Sequence, residues 1–89
     1  MVKYMNICVD ALYSIKDQIY VTELYNGIFT PSSPLIVDKV HIHITSEEDF
    51  VTYSVLYGGL VKEFREDDCF GTYEDCLEFC ESLNEEKRK

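Results

Sequence analysis

Two dipeptides, Asn26-Gly27 and Gly58-Gly59, constrain this chain more than any other feature. Each supplies two successive residues that tolerate positive φ, which a two-residue type I′ turn requires, and each sits between runs rich in β-branched and aromatic side chains. Ile-Tyr-Val-Thr-Glu-Leu-Tyr (19–25) precedes the first turn and Ile28-Phe29-Thr30 follows it. Phe50 to Tyr57 precedes the second and Leu60 to Arg65 returns from it. Two tight hairpins commit most of the chain to antiparallel pairing.

The remaining strands are read from alternation. Val40, Ile42 and Ile44 face one way within residues 35–45, with His41, His43 and Thr45 on the other side. Met5, Ile7, Val9, Ala11 and Tyr13 alternate with Asn6, Cys8, Asp10 and Leu12, so residues 5–13 are expected to be a strand. A helical register (Met5, Cys8, Val9, Leu12, Ile15, Ile19) fits the same stretch. Lys16-Asp17-Gln18 and Ser46-Glu47-Glu48-Asp49 read as turns, and Pro31-Ser32-Ser33-Pro34 as a break in the ladder.

The C-terminal segment has a different period. Thr72 followed by Asp75 approximates a capping box, and Tyr73, Cys76, Leu77, Cys80 and Leu83 recur at helical spacing, with Phe79 widening the stripe. A helix is expected over roughly 73–86, with a basic tail at 87–89. With no repeat and no linker, the 89 residues make one α+β domain: an antiparallel meander of four to five strands (roughly 4–65) packed on one C-terminal helix. One helix covers only part of a sheet face, which leaves the opposite face wet or open to a partner.

Charge is distributed unevenly over that plan. Residues 63–86 carry ten carboxylates against one cation, Arg65, a local balance of −9; the first 62 residues come to −3 and Lys87-Arg88-Lys89 return +3. Such a surface favours a basic partner and disfavours nucleic acid and anionic lipid. Glu74, Glu78, Glu81 and Glu85 form one helical stripe, and the first three have no Lys or Arg four residues on, so their mutual repulsion is uncompensated. Capping and the helix dipole account for Glu74 and Asp75 but not for Glu78 and Glu81. The candidate partner-binding residues are Asp67, Asp68, Glu74, Glu78 and Glu81, with Tyr73 as an aromatic anchor. The same stripe also suits a face that is merely solvated.

Other chemistry is sparse. His41 and His43 at i and i+2 point the same way from a strand, and Cys76 with Cys80 one helical turn apart could complete a four-ligand zinc set. The alternative places the histidines on a solvent face and the cysteines, reduced, in the core. No Cys-x-x-Cys, phosphate loop, nucleophile elbow or calcium loop is present, which argues against an enzyme and against a cofactor. The amino terminus lacks a signal-peptide h-region, and a cytoplasmic location is expected.

Size, acidity and two-layer architecture give the chain a general profile similar to small phage-encoded inhibitors, including anti-CRISPR and anti-restriction proteins that occupy a nucleic-acid channel. The likeness is one of type and covers no aligned residues. It implies a non-enzymatic inhibitor of a host defence nuclease acting as a nucleic-acid mimic. The alternatives are a small-ligand or metal-binding module on the open sheet face at His41 and His43, and a structural homo-oligomer.

Overall fold

Both expected hairpins form. Asn26 and Gly27 adopt φ of 51° and 80°, Gly58 and Gly59 of 59° and 83°, and each pair joins directly opposed residues, Tyr25 to Ile28 and Tyr57 to Leu60. The computed structural model describes residues 10–87. In chain order it has β1 (Gln18–Ile19), β2 (Thr22–Tyr25), β3 (Ile28–Pro31), β4 (Leu35–Ile44), β5 (Asp49–Tyr57), β6 (Leu60–Arg65), a 3₁₀ turn (Glu66–Asp68) and α1 (Tyr73–Lys87). The fold is α+β: a curled antiparallel sheet in the order β1-β4-β5-β6, a separate β2-β3 hairpin and the C-terminal helix.

The segment 19–25, read as one strand, divides at Tyr20 and Val21, and the physical cause is local. Tyr20 exchanges both backbone hydrogen bonds with Phe70 (2.8 and 2.9 Å). Val21 donates its N–H to Ser32 Oγ (3.0 Å) and accepts the Ser32 N–H (2.8 Å). Pinned on both sides, the chain leaves the large sheet after Ile19 and starts the small one at Thr22. The Pro31–Pro34 break thus has a structural role, since the buried Ser32 fastens that crossing. Tyr57 on β5 donates its hydroxyl to Glu23 on β2, a second tie between the sheets.

The strand expected over residues 5–13 falls largely outside the described residues. Residues 10–13, which are described, are not a strand. Two of their N–H groups find side-chain acceptors instead: Leu12 N–H donates to Glu66 Oε2 (2.9 Å) and Tyr13 N–H to the Tyr53 hydroxyl (3.2 Å). The Tyr13 ring meets Tyr53 edge-on, with centroids 5.4 Å apart.

The core lies under β5. Val51, Tyr53 and Val55 are buried with Ile19, Val21, Leu35, Val37 and Cys69, and Tyr13, Val40, Tyr57 and Phe64 pack around them. Each such aliphatic side chain contributes about 1.5–3 kcal/mol on leaving water. A bulge at Asp38 breaks the β4–β5 register between Val37 and Lys39. The helix packs on β3 rather than across the large sheet. The fully buried Cys76 and Cys80 form that contact, and small side chains there allow the helix to approach closely. No helix among the described residues is long and apolar enough to cross a membrane.

Candidate functional site

The acidic segment begins within β6, at Glu63, and its carboxylates divide by what they touch. Glu66 opens the 3₁₀ turn and turns inward: its Oε2 accepts the Leu12 N–H (2.9 Å) and the Tyr53 hydroxyl (2.6 Å). Burial first, and that hydrogen bond second, push the Tyr53 phenol from 10.0 up to about 12. Glu66 is therefore a structural acceptor. Asp67 and Asp68, from the same turn, are exposed and hold no ion pair among the described residues.

The helix that follows is fastened at its start. The Thr72 hydroxyl accepts the Asp75 N–H at 3.2 Å, an N-cap that ends the extended chain and starts the helix. At about 100° per residue, Glu74, Glu78, Glu81 and Glu85 fall within an arc of about 60°, whose centre lies about 150° from that of Cys76 and Cys80. Burying the cysteines on β3 therefore turns the glutamates outward, and all four are exposed. The only ion pairs among the described residues, His43–Glu63 and Arg65–Glu48, involve none of Asp67, Asp68, Glu74, Glu78 or Glu81. Glu78, Glu81 and Glu85 line a shallow groove of about 450 Å³ with Ser82 and Asn84. Tyr73 is half exposed and meets the Tyr20 ring edge-on at 6.0 Å. Phe79, which packs on Phe70 at 5.1 Å, also remains accessible. The structure thus brings Glu74, Glu78 and Glu81 onto one stripe, with Asp67 and Asp68 on the turn before it.

The four residues weighed as a zinc set are not brought together. Cys76 and Cys80 are sealed between helix and hairpin, and burial pushes the Cys76 thiol from 9.0 up to about 12 and Cys80 upward too. His41 and His43 lie on the other face of the large sheet, half-buried over β5: His41 Nε2 is 2.8 Å from Ser54 Oγ and His43 Nε2 is 2.9 Å from Thr52 Oγ1. Among the described residues, no three His, Cys, Asp or Glu side chains are placed to hold a metal ion.

That sheet face carries a network the sequence reading did not single out. Thr52 donates its hydroxyl proton to Glu63, which accepts only, so its oxygen must accept from His43 Nε2–H. The proton flow is opposite to that of a hydroxyl nucleophile activated by histidine. Glu63 Oε2 also lies 3.4 Å from His43 Nε2. The His43 ring stacks on Phe50 at 4.5 Å, and the Arg65 guanidinium covers the same Phe50 at 4.2 Å while pairing with Glu48 at 3.2 Å. Thr52 and Ser54 could have been placed with the histidines by extending β5 from the Gly58-Gly59 turn, since their alternation is fixed by that hairpin. No family model, curated protein or solved structure matches this chain.

Proposed function

We propose that the protein is a non-enzymatic binding module whose α1 face and preceding turn dock on a basic surface of another protein. One observation carries this reading: Glu74, Glu78 and Glu81 share an exposed stripe, opposite the buried cysteines, in which none is ion-paired among the described residues. Repulsion along such a stripe costs a few tenths of a kcal/mol per pair and is relieved when cations are brought to it. Accessible Tyr73 and Phe79 beside it offer the aromatic anchors that interfaces favour.

In its sharper form the carboxylates stand in for phosphates and exclude nucleic acid from a channel. Spacings of four, three and four residues put successive charges about 4.5–6 Å apart along the helix axis, looser than the roughly 3.4 Å per phosphate of one B-form strand. The pitch supports occupation of a basic groove better than close imitation of a duplex.

The test compares immobilised wild-type protein with the triple reversal E74K/E78K/E81K in capture from host lysate, eluted by a salt gradient. Basic proteins held by the wild type and released as salt rises support the proposal, as does weakening on the order of 100-fold or more by the reversal. Equal retention by the reversed protein, or release indifferent to salt, would sink it.

A further inference from the structure

Among the described residues, three of the outer strand edges are treated differently. The outward backbone of β3 at Phe29 is taken up by Asn84 from α1 (2.8 and 3.0 Å). The outer edge of β6 is guarded by exposed Lys62, Glu63 and Arg65, the usual defence against unwanted pairing. The third edge belongs to β4. Beyond Val37 it has no strand beside it among the described residues, because β1 reaches only Leu35 and Ile36.

The register identifies which groups face that open side. Thr45 N–H donates to Glu48 O (3.0 Å) and closes the β4–β5 turn, so Ile44 opposite Asp49 is a pair without ladder bonds. Alternation then assigns the ladder bonds to His43, His41 and Lys39 and turns the N–H and C=O of Val40, Ile42 and Ile44 outward. Val37, on the far side of the bulge, fits the same count: it donates to Asp17 O (2.9 Å) and accepts from Lys16 N–H (2.8 Å) on this edge. The three open positions carry Val, Ile and Ile, with Ile42 52% and Ile44 39% exposed. Among the described residues nothing covers this apolar edge, and folded proteins avoid leaving one of this length unless something pairs with it.

We infer that two copies of this chain pair antiparallel through β4 about a two-fold axis at Ile42, giving one continuous sheet that runs β6-β5-β4-β4-β5-β6. In this register Val40 of one copy forms a hydrogen-bonded pair with Ile44 of the other and Ile42 with Ile42, so every outward group finds a partner and apolar side chains meet on the inner face. On the other face His41 lies opposite His43, and Lys39 opposite Thr45, beside the turn that carries Glu47 and Glu48. Lys39 of each copy thus meets the acidic turn of the other. The paired stretch of β4 ends at the bulged Asp38, short of the stretch Asp17 already covers. A two-residue slip either way leaves an outward residue unpaired. The contact is isologous and closes on itself. It is independent of the acidic helix and survives or fails separately from the docking proposal.

The whole chain, examined by sedimentation velocity from micromolar to millimolar concentration, is expected to pass from 10.4 kDa to twice that mass. Raising the salt should strengthen association, because a net −9 on each copy is then screened, whereas docking on a basic partner weakens. Ile42→Lys places ammonium against ammonium on the two-fold and should weaken the dimer on the order of 100-fold. Val61→Lys on the guarded β6 edge should leave it unchanged. Should Ile42→Lys not fold, amide exchange of the wild type decides: Val40, Ile42 and Ile44 amides slow as concentration rises. A monomer throughout, a dimer indifferent to Ile42→Lys or lost in Val61→Lys, or exchange at these amides independent of concentration overturns the inference.

Discussion

Asn84 stands beside Phe29 as a one-residue strand: its Oδ1 accepts the Phe29 N–H at 2.8 Å and its Nδ2 donates to the Phe29 carbonyl at 3.0 Å. One carboxamide thus joins the last turns of α1 to the outer edge of β3 in the ladder's own pattern. Asn84→Ala should lower stability by about 1–3 kcal/mol, since two half-buried backbone groups lose their partner. Asn84→Asp should be worse, because a carboxylate cannot donate to the carbonyl and sits near the negative end of the helix dipole. Urea midpoints of the two variants, with amide exchange at Phe29, measure the difference. An Asp variant as stable as wild type would show that the Nδ2 contact contributes nothing.

Much of this fold is legible in the sequence because its turns are. Asn26-Gly27 and Gly58-Gly59 set two registers outright, and the Thr72 cap with Cys76 and Cys80 at helical spacing sets the last element. What the sequence does not carry is where the chain changes sheets. That is decided by the Tyr20–Phe70 bridge and the Ser32–Val21 knot, contacts across 50 and 11 residues that leave no local periodicity. The acidic stripe was equally legible, as a consequence of helical spacing. The role of Glu66 was not: a carboxylate beside Asp67 and Asp68 is distinguished only by the distant Tyr53 and Leu12 it bonds.

Those two kinds of carboxylate should separate in a melting experiment. Glu66→Ala strands the Tyr53 hydroxyl and the Leu12 N–H and should cost about 2–3 kcal/mol. Glu78→Lys replaces repulsion from Glu74 and Glu81, and Glu81→Lys replaces repulsion from Glu78 and Glu85, by attraction at spacings of three and four residues, so each should be neutral or stabilising by a few tenths of a kcal/mol. Thermal melts at low and high salt distinguish the effects, since only the gain in the helix variants should vanish with screening. A Glu66 variant as stable as Glu78→Lys refutes the division.

Alkaline pH should unfold the protein through its buried thiols. Burial raises Cys69 and Cys76 from 9.0 to about 12, and Tyr53 from 10.0 to about 12. A folded value above the unfolded one means that the stability is fully present below pH 9. It is lost as pH climbs toward 12, by at most about 1.4 kcal/mol per pH unit for each group. Urea midpoints between pH 7 and 11 should stay level to about pH 9 and then fall. Cys76→Ala lowers the neutral-pH midpoint by leaving a cavity but should make the alkaline fall shallower. An equally steep fall in that variant would remove Cys76 from the explanation.

At the acid end the group to follow is Glu63. Its carboxyl is held below the ordinary 4.5, first by the Thr52 hydroxyl and then by the charges and hydrogen bonding of His41 and His43. A depressed folded value contributes stability above the unfolded pKa that is lost as pH falls through the folded one. Thr52→Val keeps the shape of the side chain and removes the shared proton, so the Glu63 carboxyl should titrate at higher pH and the acid limb of stability should flatten. Carbon-detected titration of the Glu63 side chain reads this directly. The imidazole of His43 then loses its acceptor on β5 and should turn toward Glu63, which lies 3.4 Å from its Nε2. An unmoved Glu63 in Thr52→Val would mean that the histidines alone set its acidity, and that the hydroxyl beneath them serves only to fill space.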